Sequence, residues 1–106
     1  MKEKLLVTGG AGFIGTNLIK KLKDKYHIIV IDNFLTGMRS YIDNGVELYD
    51  CDIRSGDAWE IAKKSDIVVH LAAQSGVMPS IHDPLQCIDV NVYGTTNILQ
   101  GATKGN

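Results

Sequence analysis

Four glycines lie close together near the start of this chain, in the stretch GGAGFIG. Glycine costs conformational entropy, so a cluster of it directly after an apolar run needs a physical reason. Read as GxGxxG, the stretch matches through Gly10, Gly12 and Gly15; read as TGxxGxxG, it uses Thr8 and Gly9 in place of Gly10. A helical pattern follows, and the N–H groups and positive dipole end of a helix N-terminus attract anions. The spacing therefore predicts a diphosphate site, the alternative being a tight turn with small-residue packing.

An acidic residue follows the second apolar run. Asp32 lies seventeen positions beyond Gly15, near the offset at which a carboxylate meets the adenosine ribose in dinucleotide-binding folds. Such a carboxylate accepts hydrogen bonds from a ribose diol and repels a 2′-phosphate, so the pattern favours NAD over NADP. Asp52, in DCDIR, is a candidate for the adenine edge. For both residues the alternative is a turn at a strand end.

The elements that must position these groups can be read from the apolar runs. Four runs are short, β-branched and nearly continuous in hydrophobicity, which is typical of parallel strands buried on both faces. They are Lys4–Thr8, Ile28–Asp32, Val46–Tyr49 and Ile67–Leu71. Helical segments separate them, so the pattern predicts an α/β fold with a doubly wound sheet in one domain, residues 1–106.

Three helices are predicted between and after these strands. The first spans Gly12–Lys25 and the second Asp57–Lys64, with Trp59 and Ile61 as its apolar anchors. The third begins at Asp83, a good N-cap residue followed by a proline that suits the first turn. Four apolar residues line one side of this third helix: Leu85, Ile88, Val92 and Leu99.

Composition excludes several classes of protein. The chain has 106 residues, is 44% hydrophobic and carries a formal charge of −1, so we expect neither nucleic acid nor a membrane surface as a partner. No membrane span or signal peptide is predicted, which indicates a cytoplasmic location. Cys51 and Cys87 are expected to be buried free thiols, and His70 a core histidine. No histidine has ligands at metal spacing, so no metal site is predicted.

Five ordered motifs carry a family resemblance: TGGAGFIG, IDN, CDIR, VVHLAAQ and DPLQCIDVNVYGTTNIL. Together they resemble the N-terminal half of the extended short-chain dehydrogenase/reductases, the NAD-dependent sugar-nucleotide epimerase/dehydratase family that includes UDP-glucose 4-epimerases. The resemblance covers essentially the whole chain. It implies a Rossmann-like doubly wound parallel sheet, truncated to about four strands in the order 3-2-1-4.

The resemblance also implies which residues bind the cofactor NAD. Those expected at the pyrophosphate are Gly9, Gly12, Phe13, Ile14 and Gly15. Those expected at the adenosine are Asp32 and Asn33 for the ribose, and Asp52 and Ile53 for the adenine. Those expected past the fourth strand are Leu71, Ala72, Ala73 and Gln74, with Val90 and Asn91 on the helix behind.

The family's chemistry needs a Tyr-x-x-x-Lys pair, in which the tyrosine is the acid/base. Four positions after the chain's four tyrosines stand Val30, Gly45, Ile53 and Asn97. No catalytic residue is therefore assigned, and we expect the chain to be inactive alone. A nucleotide-sugar is expected to bind only in a full-length context, and the residues do not select epimerisation, dehydration or decarboxylation.

A four-stranded version of this fold leaves the fourth strand, in DIVVHLAA, as an apolar edge that recruits partners. We expect a homo-oligomer, formed through this edge or through the apolar face of the helix at 83–104. Three functions are compatible with the sequence. The chain is the NAD-binding part of a sugar-nucleotide epimerase/dehydratase that oxidises its substrate transiently, a non-catalytic nucleotide-binding or self-associating module, or a relic domain.

Overall fold

A computed structural model describes residues 2–105 and shows a four-stranded parallel sheet. Its strands are β1 (Lys4–Thr8), β2 (His27–Asp32), β3 (Glu47–Asp50) and β4 (Ile67–His70). They lie in the order β3-β2-β1-β4, which confirms the predicted order. The predicted strand limits differ from these by one residue at most. The carboxyl ends of β1, β2 and β4 therefore meet at one edge of the sheet, where ligands bind in open α/β folds.

The helices differ more from the prediction. They are α1 (Phe13–Leu22), α2 (Gly56–Lys63), α3 (Val77–His82), α4 (Pro84–Ile88) and α5 (Gly94–Gly105). A 3₁₀ turn at Arg39–Tyr41 and a π-helical turn at Asp89–Tyr93 complete the helical elements. The first predicted helix was too long, and α3 was not predicted.

The long helix predicted from Asp83 is three consecutive segments. Asp83 does cap α4, since its side chain accepts the Gln86 N–H at 3.1 Å. Its backbone is extended in φ, at −144°, as the residue before a proline prefers. Pro84 has no N–H to continue a preceding helix, so α3 ends and α4 begins at this point.

The sheet is covered on both faces, as a doubly wound fold requires. On one face Val7 and Val30 pack against Ile19 of α1, and on the other Leu6 and Ile31 pack in the cluster that includes α2 and α5. Burial on both sides holds for β1 and β2, which are buried except at their first residues. It does not hold for β3, which is largely exposed, or for β4, which is half-buried, because these strands form the edges.

Small residues bring α2 and α5 together. Of the predicted anchors of α2, Ile61 is partly buried and packs against the core, whereas Trp59 does not belong to it. The fully buried residues of α2 are Ala58 and Ala62. A Cβ atom on Gly101 of α5 would lie 2.5 Å from the Trp59 carbonyl oxygen. The two helices therefore approach until backbone nearly meets backbone.

The apolar side predicted for the last helical region faces outward. Leu85, Ile88, Val92 and Leu99 are 57–77% exposed. In α5 the core side chain is Ile98 instead, flanked by buried glycines. The prediction placed the right residues on one side, but that side is not part of the core.

The remaining sequence predictions concern cysteines and membranes. Cys51 and Cys87 are free, as expected, but both are partly rather than fully buried. In the described part of the chain, every helix is too short or too polar to cross a bilayer.

Candidate functional site

The glycine stretch forms the turn between β1 and α1. Gly9 has φ +70°, a left-handed conformation that favours glycine. A Cβ atom there would also lie 2.8 Å from the backbone nitrogen of Ala72. The N–H of Gly9 donates to Ile31 O at 2.8 Å, and that of Gly12 to Gly9 O at 3.1 Å. These two amides are therefore used inside the protein and are not offered to a ligand.

The amides of the first turn of α1 are different. Gly12 caps the helix without a side-chain hydrogen bond, and the first helical bond runs from Thr16 N–H to Gly12 O at 2.9 Å. The N–H groups of Phe13, Ile14 and Gly15 have no acceptor among residues 2–105. Three unpaired donors at the positive end of a helix dipole form an anion-binding surface.

Each remaining glycine of the turn has its own environment. A Cβ atom on Gly10 would lie 2.7 Å from a methyl group of Val30, and one on Gly15 would lie 2.7 Å from the Gly9 carbonyl oxygen. A Cβ atom on Gly12 would approach only that same oxygen, at 3.3 Å. Gly10 and Gly15 thus allow close packing, whereas Gly12 is less crowded and has one tight contact. Because Gly9 supplies the turn and Gly10 faces the core, the geometry favours the TGxxGxxG reading.

Asp32 ends β2 beside this turn. Its carboxylate accepts the Ala11 N–H on Oδ2 at 2.9 Å and the Phe34 N–H on Oδ1 at 2.7 Å. The residue is 9% exposed, and it lines the cavity described next. Each carboxylate oxygen accepts more than one hydrogen bond. The side chain can therefore hold the turn and still receive hydroxyl donors from a ligand.

The carboxyl ends of the strands enclose an open cavity of about 540 Å³. Its wall brings together most of the residues predicted to bind a cofactor: Gly9, Gly12, Asp32, Asn33, Asp52, Ile53, Leu71, Ala72, Ala73, Gln74 and Val90. Four of the predicted residues are not part of this wall: Phe13, Ile14, Gly15 and Asn91. The first three of these offer the unpaired amides.

Asp52 is not a free carboxylate. Both of its oxygens accept from the guanidinium of Arg54, Oδ2 from Nη2 at 2.6 Å and Oδ1 from Nε at 3.0 Å. These hydrogen bonds hold the pKa of Asp52 below its ordinary value, because they stabilise the charged form. Arg54 also donates to Asp89 at 2.6 Å. It lines the cavity and was missed from the sequence, although an acid and a base two positions apart at a strand exit were a visible signal.

Asn91 positions the segment that follows β4. Its Oδ1 accepts the Gln74 N–H at 2.7 Å, and its Nδ2 donates to the Gln74 carbonyl oxygen at 3.0 Å. Asn91 lies in the π-helical turn, and such turns are frequent at functional sites. Its role here is to fix a neighbouring backbone rather than to form the cavity wall.

Further wall residues come from the loops and from the short helices α3 and α4, and were also missed. They are Leu35, Thr36, Cys51, Ser75, Pro79 and Gln86. The first four are placed by loop conformation and the last two by the positions of α3 and α4, and no spacing in the sequence indicates either.

The histidines do not form a metal site. His27 is exposed and lies 3.0 Å from a carboxylate oxygen of Glu47. His82 is exposed at the end of α3, and His70 is half-buried. Within residues 2–105, no three His, Cys, Asp or Glu side chains are grouped closely enough to hold a metal ion.

Comparison with known proteins adds independent information. A family model described as the NAD dependent epimerase/dehydratase family matches residues 5–106. The chain is 42% identical over 103 residues to a putative UDP-glucose 4-epimerase of Methanocaldococcus jannaschii, covering 94% of this chain and 34% of that protein. It is 36% identical over 110 residues to a UDP-N-acetyl-alpha-D-glucosaminuronate decarboxylase of Bacillus cytotoxicus, covering 99% of this chain and 34% of that protein.

Solved structures show the same likeness. A UDP-glucose 4-epimerase of Thermus thermophilus, in complex with NAD, superposes with a TM-score of 0.85 at 34% identity, covering 96% of this chain and 34% of that one. A UDP-glucose 4-epimerase of Thermotoga maritima, with UDP-glucose, gives a TM-score of 0.89 at 33% identity, covering 97% and 35%. The chain thus spans about a third of the length of the relatives it matches.

Proposed function

Because this chain belongs to the NAD dependent epimerase/dehydratase family, we propose that it binds NAD at the carboxyl ends of β1, β2 and β4. One observation carries the proposal. Three unpaired amides begin α1, at Phe13, Ile14 and Gly15, while the Asp32 carboxylate is tied to the same turn through Ala11. An anion site and an acceptor for hydroxyl groups are thereby held on adjacent elements, as a dinucleotide requires.

Each part of the cofactor has a proposed place. The pyrophosphate binds to the three amides, with Gly12 leaving room for its approach and Gly9 making the turn. The adenosine ribose binds to Asp32 and Asn33. The adenine lies between Asp52 and Ile53, although the Arg54 guanidinium already occupies the Asp52 oxygens. The rest of the cofactor follows the segment Leu71, Ala72, Ala73 and Gln74, with Val90 lining the cavity and Asn91 fixing that segment from behind.

For a protein of its relatives' full length that contains this chain, we propose the activity of a sugar-nucleotide epimerase or dehydratase. In that activity, bound NAD oxidises the substrate transiently. The names of the relatives support a UDP-sugar as the substrate class. No residue of this chain is proposed as catalytic. We place the protein in the cytoplasm, and the two free thiols agree with a reducing compartment.

Calorimetric titration of the chain with NAD, ADP and NADP tests the proposal. We expect both NAD and ADP to bind, because the positions proposed for the diphosphate and the adenosine are common to the two ligands; tighter binding of NAD would report the segment from Leu71 to Gln74. We expect weaker binding of NADP, because its 2′-phosphate meets the Asp32 carboxylate. Absence of heat with NAD and ADP would remove the cofactor proposal and leave a relic or an interaction module.

Self-association is a second proposal, and the exposed apolar residues favour it. Leu85, Ile88 and Val92 form one face at helical spacing, 57–77% exposed, and contiguous apolar surface of this kind marks interaction sites. The edge of β4 is the alternative interface. Size-exclusion chromatography with light scattering tests the proposal, with Ile88→Glu as the helix-face variant. A monomer at micromolar concentration argues against self-association, and a dimer that survives Ile88→Glu assigns the interface to the strand edge.

A further inference from the structure

The hydroxyl of Thr8, the last residue of β1, is the centre of a small hydrogen-bond network. Thr8 is fully buried. Its Oγ1 accepts the Ala72 N–H at 3.2 Å and, at 3.0 Å, the Leu71 N–H, which is shared with the Thr8 carbonyl oxygen. A hydroxyl oxygen has two lone pairs and one proton. Since both lone pairs face N–H donors, the proton is directed to the remaining neighbour, Nδ1 of His70 at 2.6 Å.

This arrangement assigns the tautomer of His70. Because Nδ1 accepts the Thr8 hydroxyl proton, the neutral imidazole carries its own proton on Nε2. Nε2 lies 2.9 Å from Oγ1 of Thr95 in α5, which it reaches as a donor. One neutral histidine therefore joins the end of β1, the end of β4 and α5.

We propose that His70, in its neutral form, is a positioning residue for the nucleotide, because it fixes the segment after β4 against the glycine turn. The inference rests on the proposed binding of NAD. Leu71 and Ala72 are held by the same hydroxyl that His70 orients. Ala72 in turn contacts Gly9, where a Cβ atom would come within 2.8 Å of the Ala72 nitrogen. A change at His70 therefore reaches the diphosphate turn through three contacts, from His70 to Thr8, from Thr8 to Ala72 and from Ala72 to Gly9.

Protonation of His70 removes this arrangement. With a proton on Nδ1, the ring presents a donor to an oxygen that already faces two N–H groups, and the Thr8 proton loses its acceptor. Burial lowers the pKa of His70, so the folded state favours the neutral form. Because the pKa of His70 is lower in the folded state, the neutral ring stabilises the fold. This contribution to stability is fully present above the ordinary histidine pKa of about 6.5 and is lost as the pH falls through the lower folded value.

Charged groups around the imidazole do not explain that lowering. Those on the elements packed around it are Lys4 at the start of β1, Asp66 directly before β4, Asp89 in the π-helical turn and Lys104 in α5. None of them contributes to the pKa shift of His70, whose cause is burial. The burial of the His70 ring therefore sets the protonation state of the network.

Titration of the chain with NAD at about pH 7.5, and again at a lower pH at which NMR of the imidazole shows that His70 is protonated, tests the proposal. NAD is the suitable probe because its pyrophosphate has no ionisation in this range. The wild-type affinity is expected to fall about fivefold at the lower pH, the size of one net hydrogen bond. In His70→Asn the amide oxygen replaces Nδ1 as acceptor and does not titrate, so its affinity should stay constant. His82→Asn, the matched control in an exposed position, should keep the wild-type pH dependence.

Two further results decide the matter. His70→Leu should bind NAD about fivefold more weakly at both pH values, which a general loss of stability alone does not produce in a folded variant. Nitrogen-15 spectra of the wild-type imidazole should show the proton on Nε2, a readout that needs neither NAD nor a variant. Protonated Nδ1 at neutral pH, or a His70→Asn affinity that falls with pH as in the wild type, would overturn the proposal. Failure of the wild type to bind NAD at either pH would instead refute the proposed function.

Discussion

The Asp32 carboxylate accepts a hydrogen bond from the backbone N–H of Ala11, 2.9 Å away across 21 positions of sequence. This bond ties the end of β2 to the turn that follows β1. The acceptor proposed for the ribose is therefore also a part of the turn that holds the diphosphate. For each substitution at this end of the sheet, the change in folding stability and the change in NAD affinity should therefore be measured together. Comparing the two shows whether the residue supports the turn, the ligand or both.

Asp32→Asn should lower both the stability of the fold and the affinity for NAD. Replacing one carboxylate oxygen by an NH₂ group places a donor against the N–H of either Ala11 or Phe34. The expected cost is about 1–3 kcal/mol in the free energy of unfolding, measured by urea denaturation, together with weaker NAD binding. Asp24→Asn, in an exposed position, is the control and should change neither. Wild-type stability of Asp32→Asn would show that the Ala11 bond is dispensable.

Gly15→Ala and Gly12→Ala should separate stability from affinity. The new methyl group at Gly15 meets backbone atoms of Gly9 and Gly10 at 2.7 Å, which cannot move aside, so we expect a loss of about 2 kcal/mol in unfolding free energy. At Gly12 the methyl group would meet only the Gly9 carbonyl oxygen, at 3.3 Å, a contact that a small shift relieves, so stability should fall by about 1 kcal/mol or less.

Gly12→Ala should instead have its main effect on NAD affinity, which calorimetry measures. Its methyl group occupies the approach to the unpaired amides, and NAD affinity should fall about tenfold, or about 1.4 kcal/mol. An unchanged affinity in this variant would place the diphosphate elsewhere.

Gly101→Ala should loosen the contact between α2 and α5. The added Cβ atom would lie 2.5 Å from the Trp59 carbonyl oxygen, so the helices must separate at a cost of about 1–3 kcal/mol. Gly56→Ala is the matched control, because no atom lies within 4 Å of its added Cβ. It should stabilise the chain by about 0.5 kcal/mol through the unfolded state. Thermal unfolding of both variants gives the comparison, and equal midpoints would contradict the packing described here.

The ion pair between Asp52 and Arg54 should appear in the pH dependence of stability. Hydrogen bonds from Arg54 lower the pKa of Asp52 in the folded state. The pair therefore stabilises the fold above the unfolded value of about 3.9, and this contribution is lost as the pH falls through the lower folded value. Asp52→Asn should be less stable than the wild type near neutral pH and lose less on acidification. Urea midpoints across the acid range measure this, and parallel curves would exclude the effect.

The sheet could be predicted from the sequence because its central strands can bury their apolar residues in only one kind of arrangement. Runs such as those in β1 and β2 are apolar on both faces, and they require helices on each side and a parallel order. The glycine turn could be predicted for a similar reason, since the left-handed φ of Gly9 and the packing of Gly15 both exclude side chains.

The remaining features depend on tertiary contacts that spacing does not encode. Apolar size indicated Trp59 as an anchor, but the close approach of α5 selects Ala58 and Ala62. Apolar periodicity identified the side containing Ile88, yet nothing in the periodicity says whether such a side is covered. The pairing of Arg54 with Asp52 was visible in the sequence, but its second hydrogen bond, to Asp89, spans 35 positions that no spacing indicates.

The two hydrogen bonds between Asn91 and the Gln74 backbone have a mechanical consequence. Beyond His70 the chain leaves the sheet, and one side-chain amide takes over the pairing that a neighbouring strand would provide. Rotation of that single side chain releases both bonds, whereas detaching a strand breaks a whole ladder. The segment at Gln74 is therefore attached through one side chain, whereas β1 and β4 are joined by backbone pairing over four residues.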